Sequence, residues 1–187
     1  MQKHCRPPES HPEDDLIPCS KGTYALLLHL PVSTSISIPR FGATAFAQGM
    51  YVYVGSAFGL GGIRARVGRH LRPSRKQHWH IDWLLPHMRV SGFWFSTAPI
   101  HMECIWCQLL SRLDGATIPV RGFGSSDCHA GCPAHLIALG TSSIDSISRV
   151  LELTQTDSHG LVRNQNFKAL PMQDLGMPVH VARARYQ

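Results

Sequence analysis

Residues 51–70 read YVYVGSAFGLGGIRARVGRH. The segment carries a strand signal, a turn signal and a helix signal, in that order. Val52, Val54 and the neighbouring Tyr51 and Tyr53 favour an extended backbone. Gly59, Gly61 and Gly62 permit a tight path that bulkier residues would obstruct. Arg64, Arg66, Arg69 and His70 follow directly, and residues 66 and 70, four apart, share one face of a helix. Arginine and histidine beside a tyrosine-bearing strand end suit a phosphodiester better than a neutral metabolite, because the guanidinium fork matches phosphate oxygens.

Upstream, Tyr24 to Leu30 (YALLLHL) is expected to be a buried strand, with Tyr51 to Gly55 returning antiparallel to it. Residues 31–49 are rich in Ser, Thr, Pro and Gly, although Ile36 and Ile38 alternate enough for a strand of their own. Downstream, the pattern predicts a helix from about Gly62 to Leu71, ending before Pro73. A second helix is expected around Trp79 to Leu85, where Trp79 and Trp83 have i,i+4 spacing, and a strand over Val90 to Thr97. Ile100 to Leu113 reads as a helix with Ile105, Leu109 and Leu113 on one stripe and Glu103 near its start. His135 to Leu139 is a short apolar element, and Ile144 to Leu153 an amphipathic helix grouping Ile144, Ile147, Val150 and Leu151. The sum is a small antiparallel sheet with helices packed on it, an α+β arrangement. Residues 1–20 read as a mobile tail, 21–140 as the main domain, and 141–187 as a C-terminal helix with a weakly structured extension.

A chain of 187 residues, 43% hydrophobic, fits one domain with appendages. No apolar run is long enough for a transmembrane helix, and the polar start MQKHCRPPESHPEDD is unlike a signal peptide. A cytoplasmic location is the expectation. The net charge of +6 comes from 18 Lys+Arg against 12 Asp+Glu. The excess is concentrated in Arg64, Arg66, Arg69, Arg72, Arg75 and Lys76, with no acid among them. That is the footprint of a phosphate-backbone contact surface; its bland counterpart is a solvated basic helix. Cys128, Cys132 and His135 have the spacing C-x3-C-x2-H, and Cys104 and Cys107 form a C-x2-C. Four thiolates, or three with a histidine, could enclose structural Zn2+. Against this, Cys104 and Cys107 fall in an apolar helical context, where free cysteines pack as small hydrophobes. Zinc is the weaker reading.

Gly22-Thr23-Tyr24 and Tyr53-Val54-Gly55 together resemble the GIY…YIG signature of the GIY-YIG nuclease superfamily, with Thr and Val as the middle residues. The pattern GTYALLLHL…GMYVYVGSAFGLGGIRARVGRHLRPSRKQHWHIDWLL…GFGSSDCHAGCPAHL is similar to one subgroup, the Uri-type endonucleases with the DUF123 domain. The resemblance spans residues 22–138. It implies a three-stranded antiparallel sheet flanked by helices, and a divalent-metal-dependent endonuclease cutting nucleic acid, with DNA expected and no membrane involved.

Carried over by residue, the resemblance makes Glu103 the single metal-binding glutamate, suited to Mg2+ (or Mn2+), which keeps several waters. Arg66 aligns with the arginine that neutralises the scissile phosphate; Arg64 is its rival in the other register of the glycine turn. His70 matches a histidine able to hydrogen-bond a phosphate or a tyrosine hydroxyl. Tyr24 and Tyr53 would bring hydroxyls to the same centre. An ordinary tyrosine pKa of about 10 makes it a poor base without help from a neighbour, and Tyr24 is favoured for that role over Tyr53. Arg64, Arg69, Lys76 and His80 are candidate substrate contacts, and His80 and Asp82 could instead orient His70. Each has a structural alternative: Glu103 as a first-turn acid favouring the helix dipole, the tyrosines as core residues. Where many superfamily members place an asparagine, this chain has GFGSSD, so that role is unfilled or passes to Ser125, Ser126 or Asp127. A homodimer or a partner protein would serve targeting, because backbone contacts carry no sequence information. Two other classes remain: a non-catalytic nucleic-acid-binding module, zinc-stabilised or not, and a thiol oxidoreductase on Cys104 and Cys107. The last is weak without a thioredoxin-like context.

Overall fold

The computed structural model describes residues 17–72, 76–152 and 168–171, the last four by backbone alone. In chain order the elements are β1 (Thr23–Leu30), β2 (Thr34–Ile38), β3 (Gly42–Phe46), β4 (Gly49–Ser56), α1 (Gly62–Leu71), α2 (Ile81–Leu84), β5 (Arg89–Ser96), α3 (Glu103–Leu110), β6 (Leu136–Ala138), α4 (Ile144–Glu152) and β7 (Lys168–Pro171). The class is α+β, as expected, but the sheet is larger than three strands. Its order is β6-β4-β1-β5-β7, with β2 and β3 forming a separate two-stranded sheet. The expected trio survives as the centre, β4-β1-β5, all antiparallel. To it β6 adds one edge and β7 the other. The C-terminal extension thus contributes a strand; its remaining residues, and residues 1–16 of the expected tail, lie outside the described set.

The central strand β1 is buried at nearly every position, which a strand covered on both faces requires. Alternation then divides its side chains between two cores. Tyr24, Leu26, Leu28 and Leu30 join Tyr51, Tyr53, Phe93 and Phe95 beneath Ile63 and Val67 of α1 and Ile81 and Leu84 of α2. Ala25 and Leu27 join Val52, Val54 and Trp94 beneath Trp106 and Leu110 of α3 and Ile147 and Leu151 of α4. The hairpin β2–β3 fills the space between the two tyrosine motifs and packs Ile36, Ile38 and Phe46 into the first core.

Two helix faces differ from the sequence pattern. On α3 the buried residues are Trp106, Cys107 and Leu110, while Ile105 is exposed. The helix is turned so that its largest apolar side chain, Trp106, is wholly enclosed, a burial whose loss to alanine costs about 3–5 kcal/mol. On α4, Ile147 and Leu151 face inward but Ile144, at its start, is exposed. The expected helix over Trp79 to Leu85 shrinks to one turn. It opens with i→i−3 bonds, Asp82 to Trp79 and Trp83 to His80, and Pro86 follows it. The His78 and Trp79 N–H groups before it donate to the Asp82 carboxylate (2.8 and 2.9 Å).

Helix α1 has the bounds expected of it. Its first free N–H groups, which a helix cannot satisfy internally, donate to the preceding segment: Ile63 to the Ser20 carbonyl and Arg64 to that of Pro18, each at 3.0 Å. Gly62 (φ 57°) makes this approach possible, since a Cβ there would strike the Cys19 and Ser20 carbonyl oxygens. Residues 17–20 therefore belong to the fold, with Ile17 in the first core. Among the described residues no helix is long and apolar enough to cross a membrane.

Candidate active site

The glycine of the YVG motif sits where its chemistry demands. Tyr24 pairs across the sheet with Gly55, and the Tyr24 ring lies over that glycine so closely that a Cβ would collide with the hydroxyl. The strand register thus aims Tyr24 at the end of β4. There a cavity of about 420 Å3 opens, lined by Tyr24, Tyr53, Ser56, Arg66, His80, Glu103 and Asp127 among others.

Tyr24 is anchored from behind. Its hydroxyl lies 2.9 Å from Nε2 of His70, one residue from the C-terminus of α1. Nδ1 of His70 faces Oδ1 of Asp82 at 3.7 Å. Asp82 also accepts both arms of Arg69, at 3.0 and 2.8 Å. Burial alone would raise the Asp82 pKa, but the facing His70 ring and the hydrogen bonds from Arg69 and the Trp79 and His78 amides outweigh it and hold the carboxyl well below its ordinary range. Burial lowers the His70 pKa, with the nearby Asp82 carboxylate only partly opposing. Burial likewise raises Tyr24 well above its ordinary value, Tyr53 adding to the effect and Arg66 opposing it. At neutral pH the chain is therefore a neutral phenol, a neutral imidazole and a carboxylate. The carboxylate favours the His70 proton on Nδ1, leaving Nε2 to accept from Tyr24.

Arg66 reaches the cavity with its guanidinium carbon 4.6 Å from the centre of the Trp79 ring, a cation–π contact that narrows the positions the charge can take. Tyr53 lines the same space; burial first, then the Glu103 charge, push its pKa up. Glu103 is the first residue of α3, a helix that packs on the opposite face of the sheet. It reaches the cavity because α3 begins beyond the strand ends, where the Met102 amide donates to Thr23 Oγ1 (3.1 Å). Burial raises the Glu103 pKa, a hydrogen bond and charge from His101 and a hydrogen bond from Ser56 lower it, and the Asp127 charge raises it. His101 stacks on Phe58, with centroids 3.9 Å apart.

The basic run of α1 separates into three fates. Arg66 enters the cavity. Arg64 donates from Nε to the Ile17 carbonyl (2.7 Å), and Arg69 is held by Asp82 and by the Lys76 carbonyl (2.8 Å). The structure thus puts Arg64 and Arg69 in scaffolding contacts rather than in the cavity lining, because successive helix positions diverge by about 100°. Lys76 is exposed and outside the lining. His80 lines the cavity, where its Nδ1 accepts from the Gly124 amide (3.2 Å) and its ring packs on Phe41. Trp79, expected only as a helix residue, joins the site through Arg66; Ser56 and His101, not expected there, join it through Glu103. Of the GFGSSD loop, Gly124, Ser126 and Asp127 reach the lining.

Beside Glu103 lies a second cluster. The ligand atoms of Cys104, Cys128, Cys132 and His135 all fall within 4.8 Å of one another. Cys107, by contrast, packs into the second core.

No curated protein and no solved structure matches the chain. The model of the domain of unknown function DUF123 matches residues 23–156, a span that opens at the strand bearing Tyr24 and closes just beyond α4. Every residue lining the cavity falls inside it, and the chain belongs to the DUF123 family.

Proposed function

We propose that this domain is a divalent-metal-dependent endonuclease of the GIY-YIG type, hydrolysing phosphodiester bonds in DNA. The observation that carries the reading is the convergence of Tyr24, Tyr53, Arg66 and Glu103 on one open cavity, with His70 and Asp82 behind Tyr24. The resemblance to the GIY-YIG signature and the basic composition support it.

The oxygen donors at the cavity fit a hard divalent cation. Glu103 and Asp127 both line it, and the charge of Asp127 disfavours ionisation of Glu103, so a cation between them relieves a like-charge conflict. Mg2+ or Mn2+ held by Glu103, with Asp127 at hand, would supply charge neutralisation for the phosphate.

The chain's own groups account for the remaining steps. Because the Tyr24 O–H donates to His70, the oxygen lone pairs are left to accept a proton from the attacking water. As the water O–H bond breaks and the new P–O bond forms, Tyr24 takes the water proton and passes its own to Nε2 of His70. Asp82 stabilises the resulting imidazolium. From unperturbed values the transfer from phenol to imidazole costs about 5 kcal/mol, and burial enlarges that gap. Tyr24 therefore acts only in concert with water attack, with Arg66 placed against the growing charge on phosphorus oxygens. Tyr53, kept protonated, donates to the phosphate. The P–O bond to the leaving oxygen breaks and that oxygen takes a proton from solvent.

Incubation with a panel of labelled duplex, branched and single-stranded DNA and RNA, with and without Mg2+ or Mn2+, tests this. Metal-dependent cleavage by the wild type, lost in Glu103→Ala with binding retained, is the expected result. Binding without cleavage of any substrate would instead establish a nucleic-acid-binding module.

A further inference from the structure

We propose that Cys104, Cys128, Cys132 and His135 form a closed tetrahedral zinc site, which fastens the loop before β6 to the first turn of α3. The donor set is three thiols and an imidazole drawn from two chain segments, with all four ligand atoms within 4.8 Å of each other. With Zn–S bonds of about 2.3 Å, two thiolates of a tetrahedral site stand about 3.8 Å apart. Cys104 Sγ and Cys128 Sγ are 3.4 Å apart, so this pair opens by a few tenths of an ångström on binding, and the remaining ligand atoms, all within 4.8 Å, close by no more than about 1 Å.

A second observation points to a ligand. His135 is almost wholly buried, and its Nε2 has no hydrogen-bond partner. A buried imidazole nitrogen left unpaired is costly unless something occupies its lone pair. Nδ1 of the same ring stands 4.0 Å from Oε1 of Glu103. The pair is too long for a hydrogen bond, but a shift of about 1 Å would let Glu103 orient the ring as carboxylates do for zinc-bound histidines. Thiolate and imidazole donors select zinc over the hard cations proposed for the cavity.

The loop itself argues for a clip. From Ser111 to His135 the chain forms no named helix or strand; Val120 and Phe123 fix its first half in the core, and an ion on Cys128, Cys132 and His135 would fix its second. It supplies Gly124, Ser126 and Asp127 to the cavity, while α3 supplies Glu103. An ion on Cys104 and the three loop ligands therefore ties two walls of the cavity together. The site stands independently of the nuclease reading. Cys107 takes no part in it, although its sequence spacing from Cys104 suggests otherwise.

The test is metal content and coordination in the full chain, purified with thiols kept reduced. The expected result is one zinc per chain and, after exchange, the intense visible absorption of tetrahedral cobalt bound by thiolates. Cys107→Ala should retain both, while Cys104→Ser and Cys128→Ser should lose stoichiometric zinc. Should the serine variants fail to fold, the cobalt spectrum of the wild type still decides. No zinc uptake and no tetrahedral cobalt spectrum in reduced wild type would overturn the proposal. So would loss of metal in Cys107→Ala as complete as in Cys104→Ser, or a Cys104–Cys128 disulfide whose reduction restores no metal binding.

Discussion

The hydroxyl of Tyr24 hydrogen-bonds Nε2 of His70 at 2.9 Å, and both groups are buried. A tyrosine in such a place is held in one rotamer with its lone pairs committed in direction. Tyr24→Phe removes the hydroxyl alone and keeps the ring over Gly55. Metal-dependent cleavage should fall about 10²–10⁴-fold, the range typical of a lost general base, with affinity for nucleic acid unchanged. Single-turnover kinetics beside a binding isotherm would measure both; undiminished cleavage would remove Tyr24 from the chemistry.

Arg66 and Arg69 are neighbours in one basic run, yet they should fail differently. Arg66→Ala removes a guanidinium stacked on an exposed tryptophan, so stability should move by no more than about 0.5 kcal/mol, while cleavage drops about 10²–10³-fold. Arg69→Ala strips a partner from the fully buried Asp82 carboxylate and should cost about 3 kcal/mol of folding stability. Urea unfolding and cleavage rates of the two variants would separate the roles. Equal loss of stability in both would refute the division.

His70 predicts a pH signature. Its folded pKa is lowered by burial, with Asp82 opposing and Arg69 and Arg66 adding to the lowering; Tyr24 faces the other nitrogen and Tyr53 packs edge-on. The unfolded state therefore takes up a proton first as pH falls below about 6.5, and the stability owed to neutral His70 is lost from there downward. His70→Gln removes this titration. Its destabilisation relative to wild type should be largest at neutral pH and shrink as the solution is acidified below that value. Thermal unfolding of both proteins across the window gives the answer, and a constant difference would contradict it.

Gly55→Ala should destabilise the sheet by about 1–3 kcal/mol through overpacking against Tyr24. In a Tyr24→Ala background the same change should cost much less, since the colliding atoms are gone. A double-mutant cycle by chemical denaturation measures that coupling; additive effects would mean the two residues do not compete for the same space.

Local signals in the chain were enough for β1, β4, β5 and α1. In these segments apolar runs, the glycine turn and the basic helix each favour one conformation. Of the short edge strands, β6 shows locally only as the apolar run from His135 to Leu139 and β7 not at all, because their pairing depends on strands far away in sequence. The stripe on α3 misled because Ile105 and Trp106 are both apolar, and only the sheet beneath decides which is enclosed. In the candidate site, the residues of the tyrosine motifs, Arg66, His70 and Glu103 could be named from the family resemblance. What could not be read was the sorting of like residues: Arg69 to Asp82, Arg64 to a carbonyl, Cys104 to the loop cysteines and Cys107 to the core. Such choices are made by contacts between separate segments, which spacing along the chain does not encode.

The mooring of α1 has a practical consequence for anyone excising this domain. The family match opens at residue 23, but the carbonyls of Ile17, Pro18 and Ser20 receive donors from Arg64 and Ile63. A version trimmed to the matched span would release the front of the helix that carries Arg66 and His70, while leaving every cavity-lining residue in place. Such a fragment should fold yet hold Arg66 loosely, so a trimmed protein with poor activity in the proposed assay would say more about the cut than about the site.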